Sequence, residues 1–117
     1  MISFLKAEEQ HQHENGGGWV ANTATVEATV YVGSNARVFG NAQVSGDARV
    51  FGDAWVSGNA KVFGIAWVSG NAQVFGNARV SGDAQVFGNA LAFGDALVFG
   101  NAWCETNRLA GRTRAGD

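Results

Sequence analysis

Between Val20 and Trp103 the chain repeats a six-residue unit fourteen times, with no insertion or deletion. In order, the unit reads Val, then Phe or Ser, then Gly, then Asn or Asp, then Ala, then a variable residue, and we number these positions as places one to six. A short period that continues without interruption predicts a solenoid, in which each coil is stabilised by its neighbours. Such a repeat also leaves little room for a catalytic pocket built from an inserted loop.

The strand of each unit is predicted to be Ala-x-Val, where x is place six, as in the segment from Ala42 to Val44. Side chains alternate across a strand, so Ala and Val share one face and the place-six residue lies on the other. Place six holds Arg, Gln, Lys or Trp through the middle of the chain, which indicates contact with water. Place one is Val in thirteen units and place five is Ala in thirteen, so we expect a narrow core of stacked Val and Ala.

Places three and four predict a bend in every unit. Gly occupies place three in eleven consecutive units, from Gly40 to Gly100, and Asn or Asp follows it everywhere except at Ile65. Both residue types tolerate positive φ, so we expect this pair to form a tight corner. A short strand followed by a corner closes most simply as a triangle, with three of the six-residue units in each coil. The predicted fold is therefore all-β, a single-stranded parallel β-helix (β-solenoid) of triangular cross-section.

The repeat divides the chain into three segments. Residues 1–19 are predicted to be an N-terminal cap, residues 20–103 the β-solenoid and residues 104–117 a C-terminal tail. A terminal coil presents unpaired backbone groups, and a cap at the first coil would cover them. The sequence of the cap leaves open whether it forms a strand or a helix.

Units such as VFGNAQ, VSGDAR and VSGNAK resemble the hexapeptide repeat of left-handed parallel β-helix proteins. The resemblance implies left-handed winding, which the periodicity alone does not fix. Many members of that family are acyltransferases that act as trimers, while others are carbonic anhydrases or purely structural solenoids. The regular Gly-Asn-Ala-rich repeat of this chain looks more like the short bacterial and prophage members than like the enzymes.

Place two departs from the family pattern, because Phe occurs there seven times. From Phe39 to Phe87 it alternates with Ser, so with three units in each coil Phe and Ser would stack on one another along every edge. We favour an interpretation in which each ring lies along the corner and fills the room left by the small residue. A dedicated aromatic face is the alternative.

The residues needed for catalysis by this family are scarce. An acyltransferase needs a general base, normally a His, but His11 and His13 both precede the repeat. A carbonic anhydrase of this fold needs three His ligands for zinc, and two cannot supply them. A metal held by His11 and His13 stays open as a minority interpretation. We therefore predict no catalytic residue, no metal and no cofactor, and we disfavour a small-molecule substrate.

Charge and composition also limit the partners. The net charge is −2, and the basic residues are spread over all three outward columns, which disfavours nucleic acid. The single Cys104 excludes an intramolecular disulfide. No apolar run has the length of a signal peptide or a membrane span, so we expect a cytoplasmic protein that has no membrane partner.

The last full coil, residues 86–103, differs from the others because Phe/Ser alternation stops and all six outward positions are apolar. We expect this C-terminal coil to be covered by the tail or by another copy of the protein. Its six predicted contact residues are Phe87, Leu91, Phe93, Leu97, Phe99 and Trp103.

A second candidate surface is an aromatic column at place six, formed by the residues that occupy one side of successive coils. In order along the chain, its members are Tyr31, Arg49, Trp67 and Gln85, and the column ends with Trp103. The sequence thus predicts a non-enzymatic structural or protein-interaction module that forms a homo-oligomer. An acyltransferase-like enzyme with a site between subunits, and a phage-borne inhibitor that docks on a host protein, are the alternatives.

Overall fold

The computed structural model describes residues 10–105 together with the backbone strands at 108–109 and 114–115. In this part of the chain all regular structure is β, and no helix is present. The strands form three sheets, which we call faces A, B and C and which enclose one core. The fold is therefore the predicted β-solenoid. Left-handed winding stays a prediction from the resemblance.

Each face is built from every third strand of the chain. Face A contains β1 (Gln10–Gln12), β2 (Trp19–Ala21), β5 (Arg37–Val38), β8 (Trp55–Val56), β11 (Gln73–Val74), β14 (Leu91–Ala92) and β17 (Arg108–Leu109). Face B contains β3 (Thr25–Val26), β6 (Gln43–Val44), β9 (Lys61–Val62), β12 (Arg79–Val80), β15 (Leu97–Val98) and β18 (Arg114–Ala115). Face C contains β4 (Tyr31–Val32), β7 (Arg49–Val50), β10 (Trp67–Val68), β13 (Gln85–Val86) and β16 (Trp103–Cys104).

Neighbouring coils are joined by a regular ladder of backbone hydrogen bonds. For example, the N–H groups of Gln43, Ser45 and Asp47 donate to carbonyls of the next coil at 2.9 Å each. The strands run parallel, and each residue pairs with the one three units later, for example Gln43 with Lys61. The predicted coil of three units is confirmed.

The core consists of the inward Val and Ala side chains, as predicted. From Val30 to Val98 the residues at places one and five are 0–1% exposed. Cys104 takes the place of Val in the last coil and is also 1% exposed. Removing a Val side chain from water contributes roughly 1.5 kcal/mol. Because each coil adds the same inward side chains, its contribution is repeated along the solenoid.

Gly alone provides the positive φ at the corners. At place three φ lies between 62° and 71°, whereas no other residue type in the described chain has positive φ. The Gly-Asn or Gly-Asp pair thus forms the predicted corner, with positive φ at its Gly alone. The Ala78 N–H donates to the Phe75 carbonyl at 3.3 Å, closing a turn whose first central residue is Gly76. Positive φ at the first central position only is the pattern of a type II′ turn.

The corners of the first coil lack this Gly and differ in how they bond to the next coil. Thr29 occupies place four, and its Oγ1 donates to the Gly46 carbonyl at 2.5 Å. The equivalent carbonyl of Gly64 accepts instead from the backbone N–H of Asp47, at 2.9 Å. A Thr hydroxyl thus replaces the backbone donor where the corner has no positive φ.

The N-terminal cap contains a strand. β1 pairs antiparallel with β2, so it extends face A beyond the first coil. The loop after β1 covers β4 of face C, because the Gly18 N–H donates to Val32 and the Val32 N–H donates to Asn15. Of the two structures left open for the cap, strand or helix, residues 10–12 form a strand. Residues 1–9 lie outside the described residues.

The solenoid pattern continues past residue 103 into the segment predicted as the C-terminal tail. β17 and β18 pair in parallel with β14 and β15. Their register is one position shorter than that of the regular coils, since Leu91 lies opposite Arg108. The Asn89 N–H donates to the Glu105 carbonyl at 2.8 Å, whereas the Asn71 N–H donates to a glycine carbonyl. Glu105 thus takes the backbone position of that glycine, and this last unit has lost one residue.

Candidate interaction surface

The aromatic column predicted at place six lies along the middle of face C. The strand register places Tyr31 beside Arg49, Arg49 beside Trp67, and Gln85 beside Trp103. Trp67 also pairs with Gln85, so the five side chains form a continuous row. Because place six points away from the core, the row faces outward.

Each Trp of this row is supported by a Phe that lies sixteen residues before it in the sequence. The rings of Phe51 and Trp67 have centroids 5.7 Å apart and planes at 76°. Phe87 and Trp103 make the same edge-to-face contact at 6.2 Å and 82°. This geometry is the one that aromatic quadrupoles favour. The Phe side chains at these corners therefore fix the orientation of the indoles.

The cation of the row also lies on an aromatic ring. The Arg49 guanidinium carbon is 5.5 Å from the centroid of Trp67, a cation–π distance. The guanidinium is thereby held against face C. Asp47 lies on the same coil, at the corner between faces B and C, and lines a shallow depression together with Arg49 and Trp67. This depression is thus lined by one positive and one negative side chain, Arg49 and Asp47.

Ile65 adds an apolar side chain at the corner beside Trp67, and the sequence-based choice of site residues missed it. Ile65 is 58% exposed and lines the same depression as Tyr31 and Trp67. The signal was present in the sequence, because Ile65 is the residue that breaks the Asn/Asp pattern at place four. An exposed aliphatic side chain where the repeat has a polar one marks this coil as different.

The exposed large apolar side chains concentrate on face C and the corner that leads into it. Trp55 on face A is the exception, with 37% of its surface exposed. The other large apolar side chains that are exposed in the described chain are Tyr31, Phe63, Ile65, Trp67 and Trp103. We call face C together with Phe63 and Ile65 the aromatic surface.

The six predicted residues of the C-terminal coil do not form one patch. Leu91 lies on face A, Leu97 on face B and Trp103 on face C. The three Phe residues occupy three different corners and, like the two Leu residues, they are half-buried. Phe93 stacks on Phe75 with centroids 5.1 Å apart and planes at 4°. Only Trp103 of this set is largely exposed, at 69%, and it belongs to the aromatic surface as well.

The histidines lie in the N-terminal cap and both make hydrogen bonds. The Nε2 of His13 is 2.7 Å from the Val30 carbonyl, so Nε2–H donates to it, and the residue is 6% exposed. The Nδ1 of His11 lies 2.7 Å from Oδ1 of Asn22 and donates to that oxygen. Within the described residues, no group of three or more His, Cys, Asp and Glu could hold a metal ion.

Three sheets, built mainly from parallel strands of successive coils, enclose a Val/Ala core and define this chain as a β-solenoid repeat protein. Two stretches, residues 42–58 and 72–86, match the family model of the YdcK beta solenoid repeat. The chain is similar to that repeat there, which agrees with the observed fold. No curated protein and no solved structure matches the chain. In the described part, no helix is long and apolar enough to cross a bilayer.

Proposed function

We propose that this chain is a non-enzymatic β-solenoid that acts as a structural or protein-interaction module and associates with itself. The observation that carries the proposal is the aromatic surface. Trp67, Ile65 and Trp103 keep 36%, 58% and 69% of their surfaces exposed on one side of the solenoid. Large contiguous apolar patches on soluble proteins commonly mark interaction sites. Tyr, Trp and Arg are also the residues enriched among binding hot spots.

The rigid scaffold supports the same proposal. The Trp67 and Trp103 indoles are fixed by edge contacts with Phe51 and Phe87, and the strands beneath them are fixed by the backbone ladder. Side chains that are already ordered lose little conformational entropy on binding. A solenoid face of this kind is therefore suited to recognition without rearrangement.

The predicted C-terminal coil enters the proposal mainly through Trp103. Leu91 and Leu97 are half-buried on strands that each carry a further paired strand, β17 or β18. Trp103 instead lies on β16, at the end of face C in the described chain. We therefore expect a Phe93→Ser/Leu97→Gln variant to associate more strongly than a Trp103→Gln variant, in which the exposed indole is lost.

Replacement of one Trp provides the sharpest test. Trp67 and Trp55 both occupy place six, are 36% and 37% exposed, and receive an edge contact from a Phe of the preceding coil. Only Trp67 lies on the aromatic surface. Sedimentation equilibrium of the full chain over a wide concentration range should show that Trp67→Gln shifts the association equilibrium at least tenfold toward monomer, whereas Trp55→Gln leaves it unchanged.

Two results would overturn this proposal. Equal effects of Trp67→Gln and Trp55→Gln would remove the aromatic surface as the contact, and a monomeric native chain at every concentration would remove self-association. The acyltransferase alternative has its own test, since acetyl-CoA would raise the melting temperature of such an enzyme. We expect no shift, because the His13 Nε2 is buried against the Val30 carbonyl and the His11 Nδ1 is bonded to Asn22.

A further inference from the structure

The aromatic surface has an internal symmetry along the solenoid axis. The central row reads Tyr31, Arg49, Trp67, Gln85, Trp103, so an aromatic residue stands at each end and at the centre, with polar residues between. The alternation of polar and aromatic residues is the same in both directions from Trp67. Such a row is self-complementary when two copies meet in opposite directions.

At each of the two corners beside this row, one place of the repeat has the same symmetry. At the corner between faces B and C, place four reads Asp47, Ile65, Asp83 on three successive coils. At the corner between faces C and A, place two reads Phe51, Ser69, Phe87 on the same coils. These two rows are therefore also centred on the coil of Trp67. An Asp and a Phe flank the central row both one coil before Trp67 and one coil after it.

We infer that the partner of the aromatic surface is a second copy of this chain, packed face to face and antiparallel about a two-fold axis that passes beside Trp67. The inference deepens the proposed function and rests on its self-association. A two-fold contact uses the same patch on both subunits, so each pairing between unlike residues occurs twice. Three rows that are symmetric about one coil meet that requirement.

The pairings across this contact are chemically favourable. Tyr31 lies opposite Trp103 of the second copy, the two Trp67 rings meet near the axis, and Phe51 lies opposite Phe87. An antiparallel arrangement that is two-fold symmetric keeps each corner on its own side, so the Ile65 side chains also meet. Exposed aromatic and aliphatic groups thus cover one another at the centre and at both ends.

The charge on the central row favours the antiparallel arrangement over the parallel one. In a parallel two-fold dimer, each Arg49 would face the other Arg49, which costs repulsion. In the antiparallel dimer, Arg49 faces Gln85, whose amide oxygen can accept from the guanidinium, and lies diagonal to Asp83 of the second copy. Asp47 and Asp83 meet at the corner, where the two Arg49 guanidinium groups offset their repulsion. The cation–π contact with Trp67 already holds Arg49 on this face.

The size of the face predicts a weak and reversible dimer. Five strands at a spacing of about 4.8 Å extend roughly 24 Å along the axis. The short dimensions of the molecule are 24 and 21 Å, so the face covers about 500 Å² in each copy. A total of about 1,000 Å² lies at the lower limit for specific interfaces, which favours an equilibrium between monomer and dimer over an obligate dimer.

Spin-label distances test the geometry. Asn35, Asn71 and Asn89 are exposed at place four of the corner between faces C and A, on the first, third and fourth coils. Each would be replaced by Cys in the full chain that carries Cys104→Val, labelled with a nitroxide and measured by double electron–electron resonance. In the antiparallel dimer the axial separation between the two labels is close to zero for position 71, about 10 Å for position 89 and about 19 Å for position 35. The expected order of distances is therefore 71, 89, 35.

Each competing arrangement gives another order. Equal distances at all three positions would indicate a parallel dimer, and the shortest distance at position 89 would indicate contact between C-terminal ends. Either result would overturn the antiparallel dimer but leave self-association standing. A third outcome is that the labelled protein sediments as a monomer at every concentration and shows no intermolecular distance. In that case both the antiparallel dimer and self-association are wrong. As a control, sedimentation of the unlabelled Cys104→Val chain shows whether this substitution by itself changes self-association.

Discussion

Phe51 and the Trp67 indole pack in a T-shaped, edge-to-face arrangement, with the ring centroids 5.7 Å apart and the planes at 76°. The same relationship joins Phe39 to Trp55, at 5.6 Å. The two members of each pair are slightly less than one coil apart in sequence, because place two of one coil lies beside place six of the coil that follows. The corner Phe residues are thus half-buried supports for outward Trp residues.

A double-mutant cycle with Phe51→Ala and Trp67→Ala should measure this contact. We expect a coupling free energy of about 0.5–1.5 kcal/mol, since edge-to-face pairs contribute that much beyond area burial. Urea unfolding of the four proteins provides the free energies. Phe51 with Trp103 serves as the control pair, because these residues are two coils further apart and should show no coupling. Equal couplings would contradict a direct ring contact.

Gly70 should resist substitution more strongly than Gly17. Both have positive φ, 65° and 79°, but a Cβ at Gly70 would lie 2.8 Å from the Gly88 nitrogen, whereas a Cβ at Gly17 has no atom within 4 Å. Gly17→Ala is expected to cost about 1–2 kcal/mol for the backbone conformation alone. Gly70→Ala should cost about 3 kcal/mol or more, since the stacked corners must also separate. Chemical denaturation of both variants checks the difference.

The Thr29 hydroxyl should stabilise the first coil measurably. Thr29→Val keeps the shape but removes the donor to the Gly46 carbonyl, so we expect a loss of about 1 kcal/mol. Thr25→Val is the matched control, because Thr25 is exposed at place six of β3, where Val suits a strand. Equal free energies of unfolding for the two variants would show that the hydroxyl does not replace the backbone donor.

Cys104 should make stability depend on alkaline pH. Burial raises the pKa of the Cys104 thiol above its ordinary value, because the thiolate is desolvated in the core. The folded state therefore holds the thiol proton more tightly, so this contribution is fully present below the unfolded pKa, about 8.5, and is lost as pH rises above it. Cys104→Val should remove this decline in stability above about pH 8.5 while preserving the fold, since Val occupies the equivalent place in the other coils.

Thermal or urea unfolding at several pH values compares the two proteins. Parallel pH profiles for Cys104→Val and the native chain above about pH 8.5 would show that the thiol is not protected in the folded state. A slow reaction of native Cys104 with a thiol reagent, which becomes fast in urea, is the second expected observation.

The sequence could predict the path of the backbone because every unit repeats the same pattern of inward and corner residues. Val and Ala at alternating positions define the inward side, and Gly40 to Gly100 define the corners at a constant spacing. It could also predict the row from Tyr31 to Trp103, since residues three units apart must stack once the coil length is known. These features depend on local pattern and period.

Other features depend on how neighbouring coils fill the space between them. The contribution of Ile65 to the aromatic surface becomes evident only when its corner is seen beside Tyr31 and Trp67. The loss of one residue at Glu105 is visible in the register of β17 against β14, where the repeat in the sequence has already ended. Neither follows from the six-residue unit.

By itself, the sequence determined the solenoid, its coil of three units and its Val/Ala core, because strand alternation and glycine conformation act within a few residues. The tertiary structure decided which exposed side chains of this row are supported by side chains from other coils. Phe51 reaches Trp67, and Arg49 lies over the same indole, because separate coils are brought to hydrogen-bonding distance. Contacts of this kind depend on how side chains of neighbouring coils pack together, which the six-residue repeat does not specify.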